Sequence, residues 1–217
     1  MTFSEENYLK TIYHLTNVAD DGVSTNAIAE MIETKASSVT DMLKKLAEKD
    51  LVNYKKYQGV SLTERGKLSA KMIVRKHRLW EVFLVEKLDF SWDEVHDIAE
   101  QLEHIKSEKL INKLDDFLGN PTKDPHGDPI PDANGLIIKI EKLLLSELNF
   151  HQIGICVGVK DSSADFLKYL DKNRIALGSQ IEILAKEDFD QSLKIRIDQT
   201  ELIISNKIAG NLFVKLV

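Results

Sequence analysis

The sequence predicts a mainly α-helical chain with a small β domain at its C-terminal end, and three observations carry that prediction. Apolar residues recur at helical spacing through the first half, as in Leu9, Ile12 and Tyr13 and again in Val39, Met42, Leu43 and Leu46. All four prolines, Pro121, Pro125, Pro129 and Pro131, fall within eleven residues, with Gly127 among them and Gly119 and Gly135 on either side, which marks a break between domains. Beyond that break, the runs 152–159, 180–184, 193–197, 202–204 and 212–217 are short, β-branched and separated by polar turns, as the strands of a small barrel or sandwich would be.

At 217 residues, with 43% hydrophobic and 29% charged side chains, the chain falls in the ordinary globular range. No apolar run approaches the ~18 residues of a membrane span, and the N-terminus has no basic region followed by an apolar stretch and a cleavage site. The single cysteine, Cys156, excludes an internal disulfide framework and a multi-thiolate zinc site. The expected setting is the cytoplasm, and the expected division is 1–65, 66–135 and 136–217, the middle part including the Pro/Gly linker. Ser163 to Leu170 reads as one helix inside the β domain, and 136–148 is placed as a further helix.

The net charge of −6 is unevenly spread. Residues 1–78 carry 13 basic and 10 acidic side chains, whereas 79–120 carry 4 and 11, and 139–217 carry 11 of each. An anionic partner responds to the local patch rather than to the total.

In the basic part, Ser24 is placed to cap a helix through Asn26, Ile28, Ala29, Met31 and Ile32, because its oxygen can accept from the unpaired amides of a first turn. After a break at Glu33 to Lys35, a second helix starts near Ala36, with Ser37, Ser38, Thr40, Asp41, Lys44 and Lys45 outward and Val39, Met42, Leu43 and Leu46 inward. Next, 51–57 and 60–63 alternate around Gln58-Gly59 as a hairpin does, with Lys55, Lys56 and Tyr57 near its tip. Two short helices followed by a hairpin form a winged helix-turn-helix, whose second helix enters the major groove of DNA. The residues expected at DNA are therefore Lys35, Ser37, Ser38, Thr40, Lys44, Lys55, Lys56 and Tyr57. The basic run Arg65, Lys67, Lys71, Arg75, Lys76 and Arg78 is expected on phosphate. A helical hairpin with a solvated charged face would share the helix spacing, though not the wing.

In the acidic part, His77 and Glu81 stand four apart on a long helix, and His96, Glu100, Glu103 and His104 fall within roughly 100° of arc on the next. Val95, Ile98, Ala99, Leu102 and Ile105 occupy the opposite side. Carboxylates and imidazoles converging from neighbouring helices are a recurrent way to hold divalent cations, and this donor set without thiolate suits Mn²⁺ or Fe²⁺ as well as Zn²⁺. The same spacing would also fit the wet face of an amphipathic helix.

The order of these parts resembles the diphtheria toxin repressor family of metal-dependent transcription regulators. The resemblance runs through Asn7-Tyr8-Leu9-Lys10-Thr11-Ile12-Tyr13, Ser37-Ser38-Val39-Thr40, Tyr57-Gln58-Gly59-Val60-Ser61-Leu62-Thr63-Glu64-Arg65-Gly66, Arg75-Lys76-His77-Arg78-Leu79, Val95-His96-Asp97, Glu103-His104 and Pro125-His126-Gly127-Asp128-Pro129-Ile130-Pro131. It implies a helical metal-binding and dimerisation domain and a C-terminal Src-homology-3-like β-barrel of the ferrous-transport accessory type. It also implies an activating site from Asn7, Glu100, Glu103 and His104 and a second site from His77, Glu81 and His96. Asp161 or Asp165 would add to the second site, with Asp124 or His126 from the linker.

Where iron-type members place a cysteine this chain has Glu100, which is similar to the manganese branch. Lys10 stands where two-domain manganese regulators carry a ligand Glu, so their closely paired two-metal arrangement is not carried over.

The resemblance implies a dimeric repressor that binds two-fold operator DNA when loaded with Mn²⁺, with Fe²⁺ next and Zn²⁺ possible in vitro. No enzyme activity, membrane or small-molecule substrate is expected, since no nucleophile, phosphate loop or acid–base pair stands out. A dimer contact is expected on the helices between Leu79 and Phe117, where Trp80, Phe83, Leu84, Trp92 and Leu102 offer apolar surface. The alternative is a metal-independent winged-helix regulator whose His/Glu stripe is structural.

Overall fold

The computed structural model describes residues 1–16, 22–55, 58–138 and 141–217. The chain forms two compact units: residues 1–80, 99–117 and 131–137 make the first, and 81–98, 118–130 and 138–217 the second.

The first unit opens with helix α1 (Phe3–Thr16), which buries Tyr8, Leu9 and Ile12. Helix α2 (Thr25–Met31) starts as expected, the Ala27 N–H donating to Ser24 Oγ at 3.1 Å. The turn that follows places Glu33 at φ 55 and sends the Thr34 N–H to Ala29 O at 2.9 Å. Helix α3 (Ala36–Glu48) buries Val39, Leu43 and Leu46 at the i, i+4, i+7 spacing read from the sequence. Removing each such side chain from water stabilises the unit by about 1.5–3 kcal/mol. Strands β1 (Val52–Lys55) and β2 (Gly59–Leu62) pair antiparallel, Val52 opposite Leu62 and Lys55 opposite Gly59, and Val23 adds a bridge to Val60. This is the wing; Lys56 and Tyr57, expected near its tip, lie outside the described residues.

Gly66 closes the wing onto α3: a Cβ there would come within 1.9 Å of Leu51 O. Helix α4 (Glu64–Leu88) is the long helix, followed by α5 (Val95–Leu102) and α6 (Glu108–Phe117).

Within the second unit, β3 (Leu143–Leu144), β4 (Ile153–Val159), β5 (Gln180–Lys186), β6 (Leu193–Ile197), β7 (Thr200–Ile204) and β8 (Leu212–Leu216) form one sheet in the order β3-β8-β4-β5-β6-β7. All of its pairings are antiparallel. Register breaks between Cys156 and Gly158 and between Ile183 and Ala185 interrupt the ladders where a sheet bends. Helices α7 (Ala164–Lys172) and α8 (Asn206–Ala209) complete it, α7 adding Phe166, Leu167 and Leu170 to a core with Ile181, Ile183, Ile195 and Val214. Cys156 is buried in that core, and burial pushes its thiol up.

The helix expected over 136–148 is not present among its described residues. Leu136 and Ile138 are exposed, Leu143–Leu144 forms the edge strand β3, and a single 3-10 turn, Leu145–Glu147, buries Leu145 and Leu148 in the β core. The i, i+3 spacing of Leu145 and Leu148 imitates a helix but comes from one tight turn. Among the described residues no helix is long and apolar enough to cross a membrane.

Candidate metal centres

In the first unit, α1 brings Glu6 and Lys10 against the residues at the end of α5. Helix α5 stops at Leu102, so Glu103 and His104 lie in the turn just beyond it rather than on one continuous helical face. Glu103 is fully buried, which is incompatible with a wet amphipathic face. Its Oε2 lies 2.6 Å from His77 Nδ1 and accepts from Lys10 Nζ at 2.8 Å. Burial pushes the Glu103 carboxyl up, yet the His77 contact and the Lys10 charge outweigh it and hold the group below the usual carboxylate range. Lys10 Nζ also reaches Glu100 Oε1 at 3.3 Å. His104 turns Nδ1 to Glu6 Oε2 at 2.7 Å, leaving Nε2 4.0 Å from Glu103 Oε1.

Two atoms of this cluster are orphaned. Asn7 Oδ1 and Glu103 Oε1 are buried and have no hydrogen-bond partner. A buried acceptor without a donor is strongly disfavoured in protein interiors, and a cation is one group that would answer such an oxygen. Of the expected activating set, His104 Nε2 and Glu103 Oε1 stand 4.0 Å apart, and Asn7, Glu100, Glu103 and His104 all belong to the first unit; oxygen and imidazole donors of this kind suit Mn²⁺ or Fe²⁺.

The second unit holds a separate cluster. Ligand atoms of Glu81, Asp124 and His126 all lie within 4.8 Å of one another, and the three residues are buried. Glu81 Oε2 is 3.8 Å from His126 Nδ1, and Glu81 Oε1 is 3.6 Å from His96 Nδ1. The His126 loop is locally determined: Asp124 Oδ1 accepts from the backbone N–H groups of His126 and Asp128 at 2.8 and 2.9 Å. His126 O accepts from Val159 N–H at 3.0 Å, and Gly127, at φ 86, sits so close that a Cβ would lie 2.1 Å from Val157 O. His126 Nε2 bonds Trp92 O at 2.9 Å. Burial pulls this imidazole down, but Glu81 and then Asp124 outweigh it and raise it to about 9.

The expected ligands thus fall into two groups rather than one stripe. Glu100, Glu103 and His104 stand with Asn7 in the first unit, while His96, with its side chain 57% exposed, stands with Glu81 in the second. His77, one turn before Glu81 on α4, spends Nδ1 on Glu103. Asp161 Oδ1 accepts from Ser163 N–H in a turn, Asp165 is exposed at the start of α7, and neither joins the buried Glu81 cluster.

Sequence reasoning missed Glu6, whose place in the first turn of α1 looks like an ordinary helix-dipole acid. Its only signal is position: it lies four residues before Lys10, on the same helical face.

Two further expectations need correction. Arg75 is buried and bonds Asp115 at 2.6 Å, so it is a structural ion pair and not a phosphate contact. Trp92 packs against the β core, stacks on His126 and donates Nε1–H to Asp171 at 3.0 Å, and Trp80 and Leu84 are buried, so none of the three is free apolar surface. The exposed large apolar side chains of that region are Leu88 at the end of α4 and Leu110 and Phe117 on α6.

At the expected DNA face, Lys35, Ser37, Ser38 and Lys44 are exposed on α3 and its N-terminal flank. Thr40 Oγ1 donates to Ala36 O at 3.0 Å, Lys44 reaches Asp41 at 3.2 Å, and Lys55 is exposed at the end of β1.

A winged helix-turn-helix combined with buried carboxylate and imidazole clusters defines a class, the metal-dependent transcription regulators. Family comparison agrees along the chain: residues 1–60 match the iron dependent repressor N-terminal DNA binding domain, 63–132 the iron dependent repressor metal binding and dimerisation domain, and 143–216 the FeoA domain, which is Src-homology-3-like. The chain belongs to the iron-dependent repressor family, the family of the diphtheria toxin repressor.

Among relatives, iron-dependent repressor IdeR of Mycobacterium tuberculosis is 36% identical over 128 residues, 58% of this chain and 54% of that protein. The match therefore spans about half the length of such curated relatives. An uncharacterized helix-turn-helix transcriptional regulator of Methanocaldococcus jannaschii is 36% identical over 118 residues, 94% of its own length. A manganese-dependent transcriptional repressor solved in complex with manganese superposes with a TM-score of 0.87 at 35% identity, covering 98% of this chain and all of that one.

Proposed function

We propose that this chain is a metal-activated transcriptional repressor that binds two-fold operator DNA as a homodimer, with Mn²⁺ as the activating ion and Fe²⁺ the next best. The observation that carries the reading is the buried, partnerless Glu103 Oε1, 4.0 Å from His104 Nε2, with a second buried, partnerless oxygen, Asn7 Oδ1, in the same unit. Their hardness, and a carboxylate at Glu100 in place of a thiolate, favour Mn²⁺. The manganese-bound relative, similar over the whole length, supports the same choice.

When bound, the ion supplies positive charge to a segment, 79–120, that carries a net −7. Asn7 then ties α1 to the Glu103-His104 turn, while Glu6 fixes the His104 ring. Ser37, Ser38, Thr40 and the wing read base edges, and Lys35, Lys44 and Lys55 meet phosphate. Glu81, Asp124 and His126 form a second ion site, with His96 its neighbour. In this reading the functional modules are 1–65, 66–135 and 136–217. The protein acts in the cytoplasm as a regulator and not as an enzyme.

Half-sites about one helical turn apart follow from two recognition helices related by a two-fold axis. Metal can act only by favouring one spacing of those helices over others.

The test is fluorescence anisotropy of the chain's own upstream DNA under anaerobic titration with Mn²⁺, Fe²⁺ and Zn²⁺, beside His104→Ala. Metal-dependent binding lost in the variant is the expected result. Equal affinity in chelator would make the clusters structural and the chain a metal-independent winged-helix regulator.

A further inference from the structure

We propose that Lys10 is a built-in counter-cation that sets the metal threshold of the first site. The inference rests on the metal-sensor reading above. Lys10 projects from α1 with its side chain only 12% exposed and its ammonium placed between two carboxylates, 2.8 Å from Glu103 Oε2 and 3.3 Å from Glu100 Oε1. It takes one oxygen of each carboxylate. On Glu103 the other oxygen, Oε1, is buried and partnerless and faces His104 Nε2.

Two consequences follow from this arrangement. In the metal-free chain, one ammonium bonds an oxygen of each of two carboxylates and so holds the pair in place. An ion held by Glu103 Oε1 would share that carboxylate with the Lys10 ammonium on Oε2. Like charges so placed repel, and inside a protein the repulsion is screened far less than in water. Lys10 therefore orients Glu100 and Glu103 and at the same time weakens the ion's hold, which raises the concentration of free metal needed to fill the site. Met or Gln at this position comes within one atom of the lysine's length and removes the charge.

This separates Lys10 from an ordinary structural ion pair. Loss of a structural partner disorders the ligands and weakens metal binding, whereas loss of a counter-cation tightens it.

The experiment measures Mn²⁺ binding to metal-free wild type, Lys10→Met, Lys10→Arg and His104→Ala by electron paramagnetic resonance of free aqueous Mn²⁺, with thermal unfolding of each metal-free protein. The expected result is Mn²⁺ binding at least tenfold tighter in Lys10→Met, near wild-type affinity in Lys10→Arg, and a lower unfolding temperature for metal-free Lys10→Met. Unchanged or weaker binding in Lys10→Met, with the fold intact by circular dichroism, overturns the proposal. If Lys10→Met does not fold, Lys10→Gln is read in its place; failure of both neutral variants to fold makes Lys10 a structural residue and also overturns it. The sensor reading fails separately: in that case wild type and His104→Ala bind Mn²⁺ alike.

Discussion

Glu6 holds His104 through an Oε2 to Nδ1 contact of 2.7 Å, so the ring presents Nε2 to Glu103 and not the reverse. A carboxylate behind a ligating imidazole fixes its tautomer and raises its basicity, and removing such a partner lowers metal affinity by about 10–100-fold. Glu6→Ala is accordingly expected to weaken Mn²⁺ binding at the first site by about that factor, read by calorimetric titration of the metal-free protein. An unaltered affinity would mean that His104 does not ligate through Nε2.

Protons and metal compete at the second cluster. His126 is raised to about 9, above its ordinary 6.5, so in the metal-free protein the imidazolium contributes stability that is fully present below about 6.5 and is lost as pH rises through about 9. Denaturant unfolding of metal-free wild type should show this loss between those values, and His126→Gln should not. A bound cation needs the neutral imidazole, so the apparent affinity of this site is expected to rise with pH over the same range.

The Arg75–Asp115 pair at 2.6 Å is buried on the arginine side. Asp115→Ala strands a guanidinium in the interior of the first unit, and stranding one member of a buried pair is destabilising by roughly 3–5 kcal/mol. Urea unfolding measures this directly. Replacing both residues by apolar ones should recover much of the loss.

Gly127 cannot become alanine without moving backbone, because its φ is 86 and the added Cβ would meet Val157 O at 2.1 Å. Gly127→Ala is expected to displace His126 and abolish ion binding at the second cluster while the first keeps its affinity. Two-site Mn²⁺ titration distinguishes that outcome from general unfolding.

At the DNA face, Lys44→Ala should weaken binding about equally for all sequences and flatten the salt dependence, whereas Ser38→Ala should relax the choice of base at one position at a loss of about 1–3 kcal/mol. Anisotropy against a panel of operator variants at two salt concentrations separates the two effects.

The parts of the fold governed by local rules were legible in the residues. Ser24 announced α2, Val39, Leu43 and Leu46 announced the inner face of α3, and Gln58-Gly59 announced the wing. The β strands were read to within a few residues from β-branched runs.

The misreadings share a cause, which is that partners distant in sequence decide the outcome. Leu145 and Leu148 looked helical because their role depends on packing in the β core, and Arg75 looked like a phosphate contact because Asp115 lies forty residues away. His96, Glu100, Glu103 and His104 shared a helical face on paper. The helix ends before Glu103, however, and α1 divides the set by supplying Glu6, Asn7 and Lys10 to one part of it.

Glu5 and Glu6 are neighbours on α1 with different errands. Glu5 Oε1 accepts from Lys49 Nζ at 2.6 Å, at the end of α3, while Glu6 reaches His104. Successive residues on a helix are separated by a fixed angle of about 100°, so a roll of α1 that follows His104 carries Glu5 through the same angle. One helix thus carries on adjacent residues the contact to His104 and the contact to the C-terminal end of α3, so neither contact can be turned without turning the other.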